Sequence, residues 1–237
     1  MKKISFIFAT AILLGFGLQS CNREDNNGDN NGGGSGDDNS SVVWVDLGLP
    51  SGLLWADRNV GASSPEDFGG HYAWGETALK TVYKWSTYAY GSDFNALTKY
   101  CFESNYGLNG FTDNLTTLQA SDDAATANLG DGARTPTEEE WQELIDYTTS
   151  TWTIRNGVNG RLLTAANSKS IFLPAAGQCH SLYFYGPGEN GDYWSSALYQ
   201  NNPSAAWVFA FDSDSQNMQV VSRIYGFSVR AVRARQN

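Results

Sequence analysis

Few residues in this chain have the type and spacing that chemistry requires. There are two histidines, His71 and His180, and three cysteines, Cys21, Cys101 and Cys179. Zinc sites need more ligands at closer spacing, so no metal site is read from these residues. Cys179 and His180 are adjacent and invite a nucleophile–base pair, but neighbours in an extended segment point to opposite sides. Gly186-Pro187-Gly188-Glu189-Asn190-Gly191 spells G-x-G-x-x-G. A phosphate loop of that form opens a helix, whereas this one runs into a β-like stretch, so it reads as an ordinary loop. Calcium is the one ion with candidate ligands: Asp122, Asp123, Asp131, Asp212 and Asp214 could supply hard oxygens, against simple use in helix capping and turns. The acids are numerous enough to form a glycosidase-like pair, yet nothing in their spacing selects one.

Binding chemistry is better represented. The chain has eight Trp, twelve Tyr and twelve Phe, enough to build a β-rich core and still present rings to a ligand. Tyr183, Phe184 and Tyr185 lie in a stretch flanked by glycine, where three adjacent rings cannot all be buried. With Asn190, Tyr199 and Asn201 they form the expected ligand-binding set, aromatic for stacking and amide for adaptable hydrogen bonding. The formal charge of −10 repels phosphate backbones and argues against nucleic acid as a partner.

The elements that must carry these residues are mostly short strands. β-like runs are expected at Val42–Leu47, Gly52–Asn59, His71–Trp74, Ser170–Pro174, Gly191–Leu198, Ala206–Asp212, Asn217–Ser222 and Phe227–Arg233. Two helices interrupt them. Ser121–Leu129 has Ser121 as its expected N-cap and Gly130 as terminator. The second starts at Thr137, where Thr137-Glu138-Glu139-Glu140 forms a capping box and Trp141, Leu144 and Ile145 mark one buried face. Glu103–Asn114 and Gly177–Asp192 read as surface loops. The pattern is α+β with a mainly antiparallel sheet.

The N-terminal segment has a different composition. Lys2 and Lys3 precede an apolar run from Ile4 to Phe16, and Leu18-Gln19-Ser20-Cys21 follows it. This is the layout of an export signal ending in a lipobox, so residues 1–20 are read as a signal peptide and Cys21 as the lipidated N-terminus. Residues 21–41, rich in Asn, Gly and Asp, hold nothing that could enter a core and are read as a tether, roughly 25 Å root-mean-square in reach. Residues 42–237 are the expected single globular domain. Its two cysteines, Cys101 and Cys179, could pair in an oxidising compartment or remain separate buried thiols.

Longer stretches resemble known families. Ala133–Trp141, ARTPTEEEW, resembles the R-x-P-T-E-x-E-W stretch of the formylglycine-generating enzyme (sulfatase-modifying factor) superfamily. Tyr193–Ser196 and Gly226–Arg233 look like later core strands of the same type. Val45–Thr77 and Ala120–Ile145 more closely resemble the Fibrobacter major-paralogous-domain family of surface lipoproteins. The resemblance spans nearly all of residues 44–233. It implies a C-type-lectin-like fold of the formylglycine-generating subtype: a twisted antiparallel sheet, two helices and long loops. It does not carry the enzyme's activity over, because the C-terminal part that supplies the enzyme's paired cysteines has none here. The acidic stretch after Cys21 also resembles a surface-export signal, which implies an outer-membrane, cell-surface location.

The leading expectation is therefore a non-catalytic, lipid-anchored binding module for an extracellular glycan or protein. The opposing readings are a divergent enzyme, of the formylglycine-generating type or a hydrolase, and a structural or fimbrial accessory subunit. The anchor is directly testable. Cys21→Ala should move the protein from the detergent phase to the aqueous phase, or leave it unprocessed, because the acyl chains on one cysteine hold it to the membrane. Unchanged partitioning would remove the lipoprotein reading.

Overall fold

A computed structural model describes residues 42–130 and 132–236. Cys21, the segments expected to be signal peptide and tether, and Asp131 lie outside the described residues. The fold is α+β. In chain order its elements are β1 (Trp44–Asp46), β2 (Leu54–Asn59), α1 (Ala124–Leu129), α2 (Glu138–Tyr147), β3 (Thr148–Arg155), β4 (Val158–Ala165), β5 (Ser170–Pro174), β6 (Gln178–His180), β7 (Tyr183–Tyr185), β8 (Gly191–Leu198), β9 (Ala205–Phe211), β10 (Gln216–Ser222) and β11 (Arg230–Arg233).

All the strand pairs among the described residues are antiparallel, but they form several small sheets where one was expected: β1-β2-β11, β10-β9-β8, β3-β4-β5 and β6-β7. Two of the ladders carry irregularities. Register shifts between Arg230 and Val232, and between Trp194 and Leu198. Further contacts are single bridges such as Tyr193↔Ser228 and Gly177↔Gly191.

β8 and β9 lie between two aromatic clusters, and the two-residue period of a strand distributes their side chains. Trp194, Val208 and Ala210 enter one cluster with Trp74, Tyr100 and Phe227. Tyr193, Phe209 and Phe211 enter the other with Trp55 and Trp141. Trp141 reaches the second cluster from α2, stacking on Phe209 with centroids 5.0 Å apart and donating its indole N–H to Trp194 O at 3.1 Å. Trp141 therefore buries its carbon surface and still satisfies its polar atom.

The expected cap at Thr137 is present: its Oγ1 accepts from Glu140 N, and Glu140 Oε2 accepts from Thr137 N at 2.9 Å. Ile145 is only half-buried, whereas Trp141 and Leu144 are fully enclosed. At the first helix the expectation needs correction. Ser121 falls in a 3-10 turn, and Asp123 caps α1 by accepting from Ala125 N at 2.8 Å. The reason lies downstream: Thr135 donates its N–H and its hydroxyl to the same carboxylate, and this holds Asp123 at the helix start. His71–Trp74 forms a single bridge, Tyr72↔Phe227, and not a strand.

The largest addition is the β3–β4 hairpin, paired residue for residue from Thr148↔Ala165 to Arg155↔Val158. Its turn is Asn156-Gly157, with φ of 49° and 82°. Two left-handed residues in succession match the strands' twist, and Gly157 adopts that conformation without steric cost.

Where the sheets meet, Arg230 is fully buried. Its Nε and Nη2 donate to Asn59 Oδ1 at 3.0 and 2.7 Å, Nη1 to Ala56 O at 3.0 Å, and Nη2 to Phe172 O at 2.9 Å. Arg230→Ala should destabilise the fold by roughly 3–5 kcal/mol, by opening a cavity and stranding three acceptors. Thr137→Ala should cost about 1 kcal/mol, the worth of one cap. Urea denaturation midpoints of the two variants check that ranking.

Candidate functional site

The segment expected to be the Gly177–Asp192 loop contains a hairpin. β6 pairs β7 through Gln178↔Tyr185, Cys179↔Phe184 and His180↔Tyr183, around a two-residue turn of Ser181 and Leu182. Further bonds hold it to the body on both sides. Cys179 exchanges backbone bonds with Gly226 at 2.8 Å in each direction, and Ser181 does the same with Tyr83. Gly177 lies so close to the opposite strand that a Cβ there would sit 2.3 Å from Tyr185 O.

Strand alternation sorts the three adjacent rings. Tyr183 and Tyr185 face outward, each 46% exposed, with centroids 5.9 Å apart and planes tilted by 55°. Phe184 turns inward and meets the ring of His71 edge-on at 5.2 Å. So two of the three expected contact rings are presented as a pair and the third anchors them. Leu182, 61% exposed, tops the same hairpin. His180 lies flat on Tyr225 at 4.4 Å with 8° between planes, next to the hairpin turn. Sequence reasoning missed this pair because Tyr225 is 45 residues away, between two expected β-like runs.

Asn190 does not join the exposed pair. Its amide donates to Asp192 Oδ2 at 2.5 Å, and its backbone C=O accepts from Gly177 N at 2.8 Å, so it braces the base of the hairpin. Tyr199 and Asn201 form a separate group on the β8–β9 turn. Asn201 Nδ2 donates to Tyr199 Oη at 3.0 Å, Tyr199 meets Trp207 edge-on at 5.4 Å, and the Trp207 indole donates to Gln200 at 3.3 Å. The hairpin base adjoins the start of β8 through Gly177↔Gly191, whereas this turn follows the end of β8.

The other chemical candidates are occupied within the fold. Cys101 and Cys179 are buried and not bridged. Cys101 Sγ–H donates to Glu103 O at 3.2 Å, while Cys179 packs with Ala73, Tyr83 and Ile224. Burial raises the Cys101 thiol above its ordinary pKa. His180 and Cys179 point apart, one onto Tyr225 and the other into the core. The Gly186–Gly191 segment is a turn closed by Glu189 N on Gly186 O, and it leads into β8. Of the acids considered for calcium, Asp122 binds Lys99 Nζ and Tyr100 Oη, both at 2.5 Å. Asp123 caps α1, and Asp212 accepts from Asp214 N and Ser215 N within a turn. Among the described residues no three His, Cys, Asp or Glu side chains converge as a metal site would require.

The ARTPTEEEW stretch proves to be architectural. Arg134 makes two bonds to Glu140, Thr135 secures Asp123, Pro136 O accepts from Ser196 N, Thr137 caps α2 and Trp141 fills the core. No protein family, curated protein or solved structure matches the chain.

Two ionisable groups, the buried His71 and the half-buried Asp192, brace the hairpin from below. Burial holds His71 down to about 4, with its Nε2 3.1 Å from Ala176 O. Burial pushes the Asp192 carboxyl up to about 6. Their pH effects oppose each other. His71 folds in its neutral form, so its contribution is present above about pH 6.5 and lost as pH falls towards 4. Asp192 folds more readily protonated, so its contribution is present at low pH and lost as pH rises from about 4 to 6. Each is worth about 3 kcal/mol by linkage. Asp192→Asn should therefore expose a steady loss of stability on acidification from pH 6.5 to 4, and His71→Gln should reverse the slope. Denaturant melts across that range check both signs, and parallel profiles for the two variants would refute the assignment.

Proposed function

We propose that this chain is a cell-surface lipoprotein, anchored to the outer membrane through Cys21, whose domain binds an extracellular glycan without catalysis. The observation that carries the reading is the outward pair Tyr183 and Tyr185 on a hairpin braced from behind by Phe184 and His71. Exposing two large rings forgoes the burial that such rings normally gain, which favours a role in contact. Their 5.9 Å separation and fixed strand register suit the apolar faces of sugar rings, where a rigid aromatic loses little entropy on binding. His180 on Tyr225 extends the aromatic surface beside the turn.

The fold proposed for the domain is C-type-lectin-like, of the formylglycine-generating subtype. It is supported by the α+β order, the two helices, and the structural roles of the ARTPTEEEW residues. Chemistry of the formylglycine-generating type requires paired thiols, and Cys101 and Cys179 sit in separate surroundings. The net negative charge argues against nucleic acid as a partner.

A glycan array probed with the full chain tests the proposal. Wild type should bind a defined set of glycans, and Tyr183→Ala and Tyr185→Ala should each weaken that binding about fivefold to tenfold, the worth of one aromatic contact. Tyr199→Ala, on the separate turn, should leave it unchanged. Absence of glycan binding, or full retention by the Tyr183→Ala/Tyr185→Ala double variant, would overturn it.

A further inference from the structure

A second surface, independent of the hairpin, is carried by β3. It is an edge strand of its sheet among the described residues, eight residues long and regularly paired on its other side. The two-residue turn determines which of its groups face outward. Arg155 and Val158 flank the turn and form a hydrogen-bonded pair, so Thr153, Thr151 and Thr149 also bond inward to β4. The N–H and C=O groups of Ser150, Trp152 and Ile154 then point away from the sheet, and no other described backbone group bonds to them.

Soluble proteins guard such edges with Lys, Pro, a bulge or a covering loop. Thr148-Thr149-Ser150-Thr151-Trp152-Thr153-Ile154 has no charge and no proline, and its register with β4 has no bulge. Two large apolar side chains stand exposed at its ends, Tyr147 at 58% and Ile154 at 65%. The edge is thus an open ladder capped by apolar surface.

We propose that β3 pairs antiparallel with β3 of a second copy of this chain, about a two-fold axis at Thr151. This register uses all seven residues and joins outward groups to outward groups, Ser150 opposite Trp152 and Thr148 opposite Ile154. Thr149 faces Thr153 and Thr151 faces itself, pairs that favour sheet formation. Tyr147 of one copy lies opposite Arg155 of the other, an aromatic beside a cation. A chain with a formal charge of −10 resists self-association over most of its surface. Self-pairing in this register opposes no like charges and sets Arg155 against Tyr147 at both ends, so the strand is its own complement and a second copy is the occupant.

Cysteine cross-linking in intact membranes, on the full lipidated chain, tests the register. Thr151 occupies a non-hydrogen-bonded position of the proposed pair, where opposing Cα atoms approach to about 4.5 Å and a disulfide can close. Thr151→Cys should give a disulfide-linked homodimer under mild oxidation, and Ser213→Cys, on an exposed turn, should not. Thr149→Cys and Thr153→Cys chains should cross-link to each other when co-expressed, and not to themselves. Ile154→Pro removes an outward N–H without touching the β4 ladder, so it should abolish the Thr151→Cys dimer. A dimer no more abundant than in the Ser213→Cys control would overturn the pairing. So would cross-linking of Thr151→Cys to a different protein, or self-linking of Thr149→Cys. Because the Thr149–Thr153 readout involves no proline, it decides the register even where Ile154→Pro impairs folding. Glycan binding by Tyr183 and Tyr185 is unaffected by either result.

Discussion

Every nitrogen of the buried Arg230 guanidinium is hydrogen-bonded, and satisfying it ties two of the three main sheets of this protein together. Arg230 on β11 bonds Asn59 and Ala56 on β2 and Phe172 on β5. Asn59 in turn donates to Tyr193 Oη on β8 at 3.2 Å, and Tyr193 donates to Pro174 O on β5 at 2.8 Å. Burial lowers Arg230 to about 10, so it remains a cation at neutral pH. Removing a charge from water is costly, and the carbonyls and amide around it offset that cost only in this one geometry. Because the acceptors lie on β2 and on β5, strands of two different sheets, the requirement sets how those two sheets sit relative to one another.

Around that centre, β8 and β9 divide the aromatic residues between two cores. A change of one residue in their register would send Tyr193, Trp194, Phe209 and Phe211 to the wrong clusters at once. The same alternation, repeated on the small β6–β7 hairpin, places Phe184 inside and Tyr183 and Tyr185 outside. Core and candidate site thus follow from one rule applied at two depths. In a buried strand both faces find partners, and in a peripheral hairpin only one does. A second buried cation, Arg223, is less fully satisfied, since its Nε has no hydrogen-bond partner among the described residues. It donates to the carbonyls of Lys99 and Tyr100 and lies over the faces of Trp74 and Tyr88.

The elements legible in the sequence are those whose determinants are local. The capping box at Thr137 needs only residues three apart. β8 was legible over its full span, Gly191–Leu198, because glycine and a change of composition bound it. The β3–β4 hairpin was not read, although Asn156-Gly157 marks its turn, because threonine-rich strands with little apolar alternation give a weak periodic signal. Ser121 was read as the cap of α1 on the preference of serine for that position. Asp123 holds the role because Thr135, twelve residues on, binds the same carboxylate.

The candidate site divides along the same line. From the sequence alone, three adjacent rings between glycines could not all be buried, and the two thiols could be either paired or separate. Composition and the lipobox layout were likewise readable without a fold. Which ring anchors and which two are presented depended on the strand register of β6 and β7. That Asn190 braces Asp192, and that Tyr199 and Asn201 belong with Trp207, depended on where β8 begins and ends. The thiols were separated by packing, one beside Glu103 and the other beneath the hairpin. Local sequence specifies backbone conformation through sterics and nearby hydrogen bonds. The direction in which a side chain finally points is decided by partners tens to hundreds of residues away, and only the assembled tertiary structure brings them into contact.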